Sequence, residues 1–150
     1  MILIDTNALV ILLIGLIDPR LFKTHKTTSI YEEQDFLDLL VVIRDINQLV
    51  VLPNVWTELD NLLNTFSGNY KYPYIEQITK TIQATTERYI ESVRATESFT
   101  FFEIGLTDTL LLEVAKECQL LITSDSRLSD YARASGIAVY DLVKNRNERI

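Results

Sequence analysis

The chain reads as a single α/β domain over its 150 residues, an α/β/α sandwich with a parallel sheet. Three observations predict this. Short apolar runs alternate with longer segments of helical periodicity, the pattern of repeated strand–helix–strand units. The intervening segments are long enough for right-handed crossovers, which make neighbouring strands parallel. Gly and Pro are scarce, at 4 and 3, while apolar residues make up 47% of the chain. That balance disfavours disorder and also an all-β fold built on many tight turns. A chain of this length builds one sizeable core rather than two. No internal repeat, low-complexity tract or linker interrupts the pattern.

Met1 to Ile4 is an apolar run that predicts a short buried strand, followed by Thr6 and Asn7 as turn or cap residues. Ala8 to Ile17 is apolar throughout and reads as a buried helix. A leader peptide or membrane span is not expected there. No Lys or Arg precedes the stretch, Asp5 and Asn7 interrupt the run from Met1, and Pro19-Arg20 closes it. A span needs about 18 or more apolar residues. Asp18 to Ser29 reads as a polar loop holding Arg20, Lys23, His25 and Lys26. Tyr31 to about Asn47 predicts a helix with Phe36, Leu39, Leu40 and Ile43 on one face. Leu49 to Leu52 is the second strand, and Pro53 suits the first turn of the helix that follows. Val55, Leu59, Leu62, Leu63 and Phe66 give that helix its apolar stripe, and Ser67-Gly68-Asn69 ends it.

Beyond a tyrosine-rich connection with Tyr70, Tyr72 and Tyr74, the segment Ile75 to about Glu97 predicts one long amphipathic helix. Its stripe is Ile75, Ile78, Ile82, Tyr89, Ile90 and Val93. Phe99 to Phe102 fits a short strand or an irregular segment equally well. Thr107 to Cys118 reads as helix, Leu120 to Thr123 as strand, Ser126 to Ser135 as helix and Ile137 to Tyr140 as strand. Gly136 is placed to end the helix before that last strand. The single Cys118 falls in a helical pattern at a core position. One cysteine forms no intramolecular disulfide and no cysteine-based zinc site, which suits a reducing cytoplasm.

Against this frame four carboxylates stand out. Asp5 ends the first strand, Glu58 lies inside the helix after the second, Asp108 opens the helix from Thr107, and Asp125 follows the strand Leu120 to Thr123. In open parallel sheets, ligands bind outside the carboxyl ends of the strands. Carboxylates gathered there repel one another unless a cation lies between them, so the set predicts a divalent-metal site. An all-oxygen set suits Mg²⁺ or Mn²⁺, which orient an attacking water and offset charge on phosphate oxygens. Asn7 and Thr123, with Ser124, are candidate supporting polar groups. No other constellation competes: the chain has no P-loop, dinucleotide fingerprint, G-x-S-x-G elbow or HExxH. Each acid also has an ordinary role, as a helix cap, a surface residue or a turn former. Their order along the chain is what gives them weight.

Those same stretches resemble a PIN domain. Ile4-Asp5-Thr6-Asn7 is similar to the family's opening, and Leu52-Pro53-Asn54-Val55-Trp56-Thr57-Glu58-Leu59 to the stretch with its second acid. Gly105-Leu106-Thr107-Asp108 resembles the third motif, Leu121-Ile122-Thr123-Ser124-Asp125-Ser126-Arg127-Leu128 the last, and Gly136-Ile137-Ala138-Val139-Tyr140 the closing strand. The resemblance covers nearly the whole chain. It implies a metal-dependent ribonuclease in which Asp5, Glu58, Asp108 and Asp125 are the catalytic and metal-binding acids, with Asn7 and Thr123 in support. Many small members are VapC-type toxins neutralised by an antitoxin protein, and they often form homodimers.

The net charge of −7 argues at face value against a nucleic-acid partner. Two bound divalent cations would offset more than half of it. Arg20, Lys23 and Lys26 follow the first strand–helix unit and are candidate contacts to RNA phosphates. Lys144, Arg146 and Arg149 offer a second basic segment, whose ordinary reading is a frayed tail. The three tyrosines of the connection are candidates for stacking on unpaired bases or for plain packing. Two rival readings remain. A haloacid-dehalogenase-like phosphatase would use Asp5 as nucleophile, but that family places a second Asp where this chain has Asn7. A catalytically silent PIN-like module would bind RNA or scaffold an assembly, with the long 75–97 helix as its interface.

Overall fold

The computed structural model describes residues 1–66 and 68–149. Ser67, expected to help end a helix, lies outside the described residues. The architecture is α/β with a five-stranded, wholly parallel sheet. Strands β1 (Ile2–Ile4), β2 (Leu49–Val51), β3 (Thr86–Glu87), β4 (Leu120–Thr123) and β5 (Val139–Asp141) lie in the order β3-β2-β1-β4-β5. The chain builds outward from β1 in one direction through β2 and β3. It then returns to the other side of β1 for β4 and β5. The boundary between β1 and β4 is therefore the point where the strand order reverses, and crevices form at such points above the strand carboxyl ends.

Apolar runs without alternation make strands buried on both faces, and β1 and β2 are buried throughout. Helix α1 (Thr6–Ile17) is apolar on every side and correspondingly central, with Ala8 to Ile14 fully buried. It packs against α2 (Glu33–Ile43), α3 (Pro53–Leu63) and α4 (Lys71–Ala84). A second group joins α5 (Val93–Thr96), α6 (Thr100–Ala115) and α7 (Ser126–Ala134). Right-handed crossovers in the two opposite directions require such a division. The segment after Asp18 is less open than its polar composition suggests: Pro19–Thr24 forms a 3₁₀ turn whose Leu21 and Phe22 are buried.

Several boundaries differ from the sequence reading. The long helix expected over 75–97 is not formed. Helix α4 ends at Ala84, where the Thr85 hydroxyl donates to the Thr81 carbonyl at 2.9 Å. Thr86 and Glu87 then pair with Val50 and Val51 as the edge strand β3. The β-branched pair Thr85-Thr86 favours an extended backbone, and a free sheet edge beside β2 decides the matter. Of the expected stripe only Ile78 is buried, whereas Ile75, Ile82, Tyr89 and Val93 are exposed.

Phe99 to Phe102 is neither strand nor irregular, since Thr100 begins α6. Cys118 lies beyond the helix end and is half-buried. Gly136 has φ +80°, the left-handed conformation expected where α7 stops. The expected frayed tail is an eighth helix, α8 (Leu142–Arg149). Among the described residues, no helix is long and apolar enough to cross a membrane.

Candidate acidic site

Asp5 leaves the carboxyl end of β1 as the N-cap of α1. One oxygen, Oδ1, accepts the Ala8 N–H at 3.2 Å, and Oδ2 accepts the hydroxyl of Thr123, the last residue of β4. Two residues beyond Thr123, Asp125 caps α7, taking the N–H groups of Arg127 and Leu128 at 2.9 and 3.1 Å. Its own N–H donates to Thr123 Oγ1 at 2.9 Å. Thr123, fully buried, therefore couples two of the four acids across the β1–β4 boundary.

Glu58 reaches the site from the second turn of α3. Thr6 donates to its Oε2 at 2.8 Å and Thr107 to its Oε1 at 2.7 Å. Asp108 arrives from α6, and Gly105 explains how. Its φ of 83° and ψ of −176° break the helix into two segments. This region is open essentially to glycine alone. The break gives the second segment its own first turn, with Thr107 and Asp108 at its start.

Electrostatics show that these groups feel one another. Burial raises the Asp108 carboxyl to about 7, helped by the charges of Asp125 and Asp5, by a hydrogen bond to Asp125 and by Glu58. Burial likewise raises Asp5 to about 6, against the lowering effect of Thr123 and the backbone donors, with Asp125 adding repulsion. Two buried acids raised towards neutrality beside further carboxylates form a site that positive charge would relieve.

The donors suit an oxygen-seeking cation: all four are carboxylates, and the hydroxyls of Thr6, Thr107 and Thr123 steady three of their oxygens. As the side chains stand, no group of three or more His, Cys, Asp or Glu among the described residues is disposed to hold a metal ion. Asp108 is turned onto Asp125 and Glu58 onto two threonines, so chelation by three of them requires rotamer changes.

The expected supporting residues divide. Thr123 is integral, whereas Asn7 is exposed and makes none of the observed hydrogen bonds to the four acids. Its place is taken by Thr6 and Thr107, which the sequence presents only as a turn or cap residue and a helix start. Tyr31, buried just before α2, is a further neighbour: burial together with Asp35, Asp5 and Asp141 raises its hydroxyl.

The expected RNA contacts are less free than their exposure suggests. The Arg20 guanidinium is committed to Asp18 at 2.9 Å, and Lys23 Nζ lies 3.3 Å from the Ser29 carbonyl. Lys26 is exposed. His25 ties its loop to α3 through the Leu62 carbonyl at 3.1 Å. Tyr74 is buried and donates to Asp60 at 2.6 Å, so it packs rather than stacks on a ligand, while Tyr72 is exposed.

No family model matches this chain, and no curated protein matches it. Among solved structures it is similar to a domain of a functionally unknown protein from Methanocaldococcus jannaschii DSM 2661. The two share 19% identity over 93% of this chain and 89% of that one, with a TM-score of 0.47.

Proposed function

We propose that this chain is a PIN-type, Mg²⁺- or Mn²⁺-dependent endoribonuclease that hydrolyses RNA phosphodiester bonds at the Asp5–Glu58–Asp108–Asp125 cluster. One observation carries the reading. Four carboxylates from four distant segments gather at the reversal point of a parallel sheet, where burial first and neighbouring acidic charge second push Asp5 and Asp108 upward. A fold can bury one such acid for capping. Gathering four is costly unless a cation and a charged substrate are to be met there.

Asp5, Glu58, Asp108 and Asp125 would hold the metal. Bound there, Mg²⁺ or Mn²⁺ would supply an activated water and stabilise charge on the phosphate oxygens. The chain's own contribution is positioning. Thr123 and the Ala8 N–H fix both oxygens of Asp5, and Thr6 and Thr107 fix those of Glu58. Asp108, with a pKa near 7, holds or releases a proton close to neutrality, on the side facing Asp125. The small toxin of a toxin–antitoxin pair, itself a homodimer, is the narrower form of this proposal and rests on the motif resemblance alone. The silent-module alternative loses its main support, because the expected interface helix is broken at Thr85.

The test is cleavage of end-labelled single-stranded and hairpin RNAs with Mg²⁺ or Mn²⁺, with EDTA and Asp5→Asn controls. Metal-dependent cutting that disappears in the variant is the expected result. Folded protein that cuts nothing with either metal, or Asp5→Asn protein that cuts as well as the parent, rejects the reading.

A further inference from the structure

Beside the acidic cluster runs a second cleft of about 510 Å³. Ser124 and Ser126, the two residues flanking Asp125, form one wall, and Asp141 with Val143, Lys144, Asn147 and Glu148 along α8 form the other. We propose that this cleft holds one unpaired guanine nucleoside of the RNA, adjoining the phosphate at the acidic site. Its place along the strand rests on the ribonuclease reading, whereas the recognition of guanine is a property of the cleft itself.

The volume lies in the range that encloses a small organic ligand. The chemistry of the α8 wall narrows the choice. Asp141 is already engaged: its Oδ2 accepts the Ser129 hydroxyl and its Oδ1 the Lys144 N–H, each at 3.1 Å. Glu148 is not held in this way. Its side chain is 67% exposed, and Lys144 Nζ approaches no nearer than 4.0 Å, beyond hydrogen-bond distance. The wall thus presents an ammonium and a carboxylate side by side, both able to accept a better partner.

The Watson–Crick edge of guanine offers the complement. Its O6 accepts a hydrogen bond, while N1–H and the N2 amino group are adjacent donors that one carboxylate takes together. Adenine, cytosine and uracil present no such pair of neighbouring donors. Lys144 would meet O6 and Glu148 the two donors, as charge-assisted bonds. Val143 supplies apolar contact for the ring, and the Ser126 hydroxyl and Asn147 amide are polar partners for the ribose. A bare phosphate is badly matched, because Lys144 shares the cleft with the carboxyl groups of Asp141 and Glu148.

The test is titration of GMP, AMP, CMP and UMP into the metal-free protein in EDTA, followed by amide NMR shifts, with inorganic phosphate as control. Saturable GMP shifts at Ser126, Lys144 and Asn147, at least tenfold tighter than for the other nucleotides, are expected. They should weaken at least tenfold in Glu148→Gln. The Glu148 side chain is largely exposed, so this substitution leaves the fold intact. Absent shifts, equal shifts from all four nucleotides, shifts from phosphate alone, or an indifferent Glu148→Gln overturn the proposal. Cleavage mapping separates the two claims. Cutting with no guanine preference, unchanged in Glu148→Gln, rejects the subsite and keeps the nuclease. Guanine-selective binding by a protein that cuts no RNA keeps the subsite and rejects the nuclease.

Discussion

Thr107 holds Glu58: its hydroxyl lies 2.7 Å from Oε1 and joins α6 to α3 across 49 residues of sequence. Thr6 takes the other oxygen, so an acid on an exposed helix turn is held in one orientation. Thr107→Val keeps the shape and removes the donor. We expect a loss of about 0.5–1.5 kcal/mol in stability. If Glu58 is a metal ligand as proposed, the larger effect falls on the site, roughly 10- to 100-fold in Mn²⁺ affinity or activity, as for groups that orient metal ligands. Urea unfolding and Mn²⁺ calorimetry on the same preparation measure both. An unchanged Mn²⁺ affinity would remove Thr107 from the site.

Gly105 makes that contact possible by restarting the helix ahead of Thr107. A Cβ built there meets nothing within 4 Å, so the whole penalty of a substitution is conformational. Gly105→Ala should destabilise by about 1–3 kcal/mol and move Thr107 and Asp108 away from Glu58 and Asp125. Thermal unfolding shows the first effect. A crystal structure in which Gly105→Ala keeps φ positive and the Thr107–Glu58 bond intact would refute the second.

The sheet and the acids were legible because their signals are local. Continuous apolar runs mark strands buried on both faces, and an acid directly after such a run stands at a strand end whatever surrounds it. The 75–97 segment misled because helical periodicity continues through Thr85-Thr86, while the competing partner, the β2 edge, lies 36 residues away at Val50. Helix α8 was hidden for a related reason: its sequence is polar, and it is held from outside. Thr6 and Thr107 were invisible as site residues, since a threonine's role depends on which carboxylate the fold brings to it.

Arg149 is the outside hold on α8. Its guanidinium meets Asp35 at 2.8 Å and Asp38 at 3.0 Å, and the Asp35 side chain is only 1% exposed. Arg149→Ala leaves that carboxylate buried with the Glu32 N–H as its remaining hydrogen-bond donor. Losing a partner to a buried charge costs several kcal/mol at full burial. Arg149 is about one-third exposed, so solvent screening reduces the loss to about 1–2 kcal/mol. Hydrogen exchange should show α8 amides opening first. Unchanged protection in α8 would mean that the helix is held by its apolar contacts instead.

The two raised carboxyls set the pH dependence of the protein without metal. Burial pushes Asp108 up to about 7 and Asp5 to about 6 when folded, against an ordinary value of 3.8. Between pH 4 and 7 the folded state therefore binds protons that the unfolded chain has released. Stability from these groups is complete below pH 4 and is lost as pH rises through 6 and 7. Asp108→Asn removes one part of that loss and should be more stable than the parent at pH 8, by at least about 1.4 kcal/mol, the equivalent of one pKa unit. On the proposed reading a cation would bind the deprotonated acids, so Mn²⁺ should raise the melting temperature of the parent more at pH 8 than at pH 5. The same Mn²⁺ should raise that of Asp108→Asn less. Melting curves at both pH values, with EDTA or Mn²⁺, contain the whole comparison. A parent whose stability rises from pH 5 to pH 8 in EDTA, together with an Asn variant that gains nothing, would show that the acids are not crowded as the structure has them.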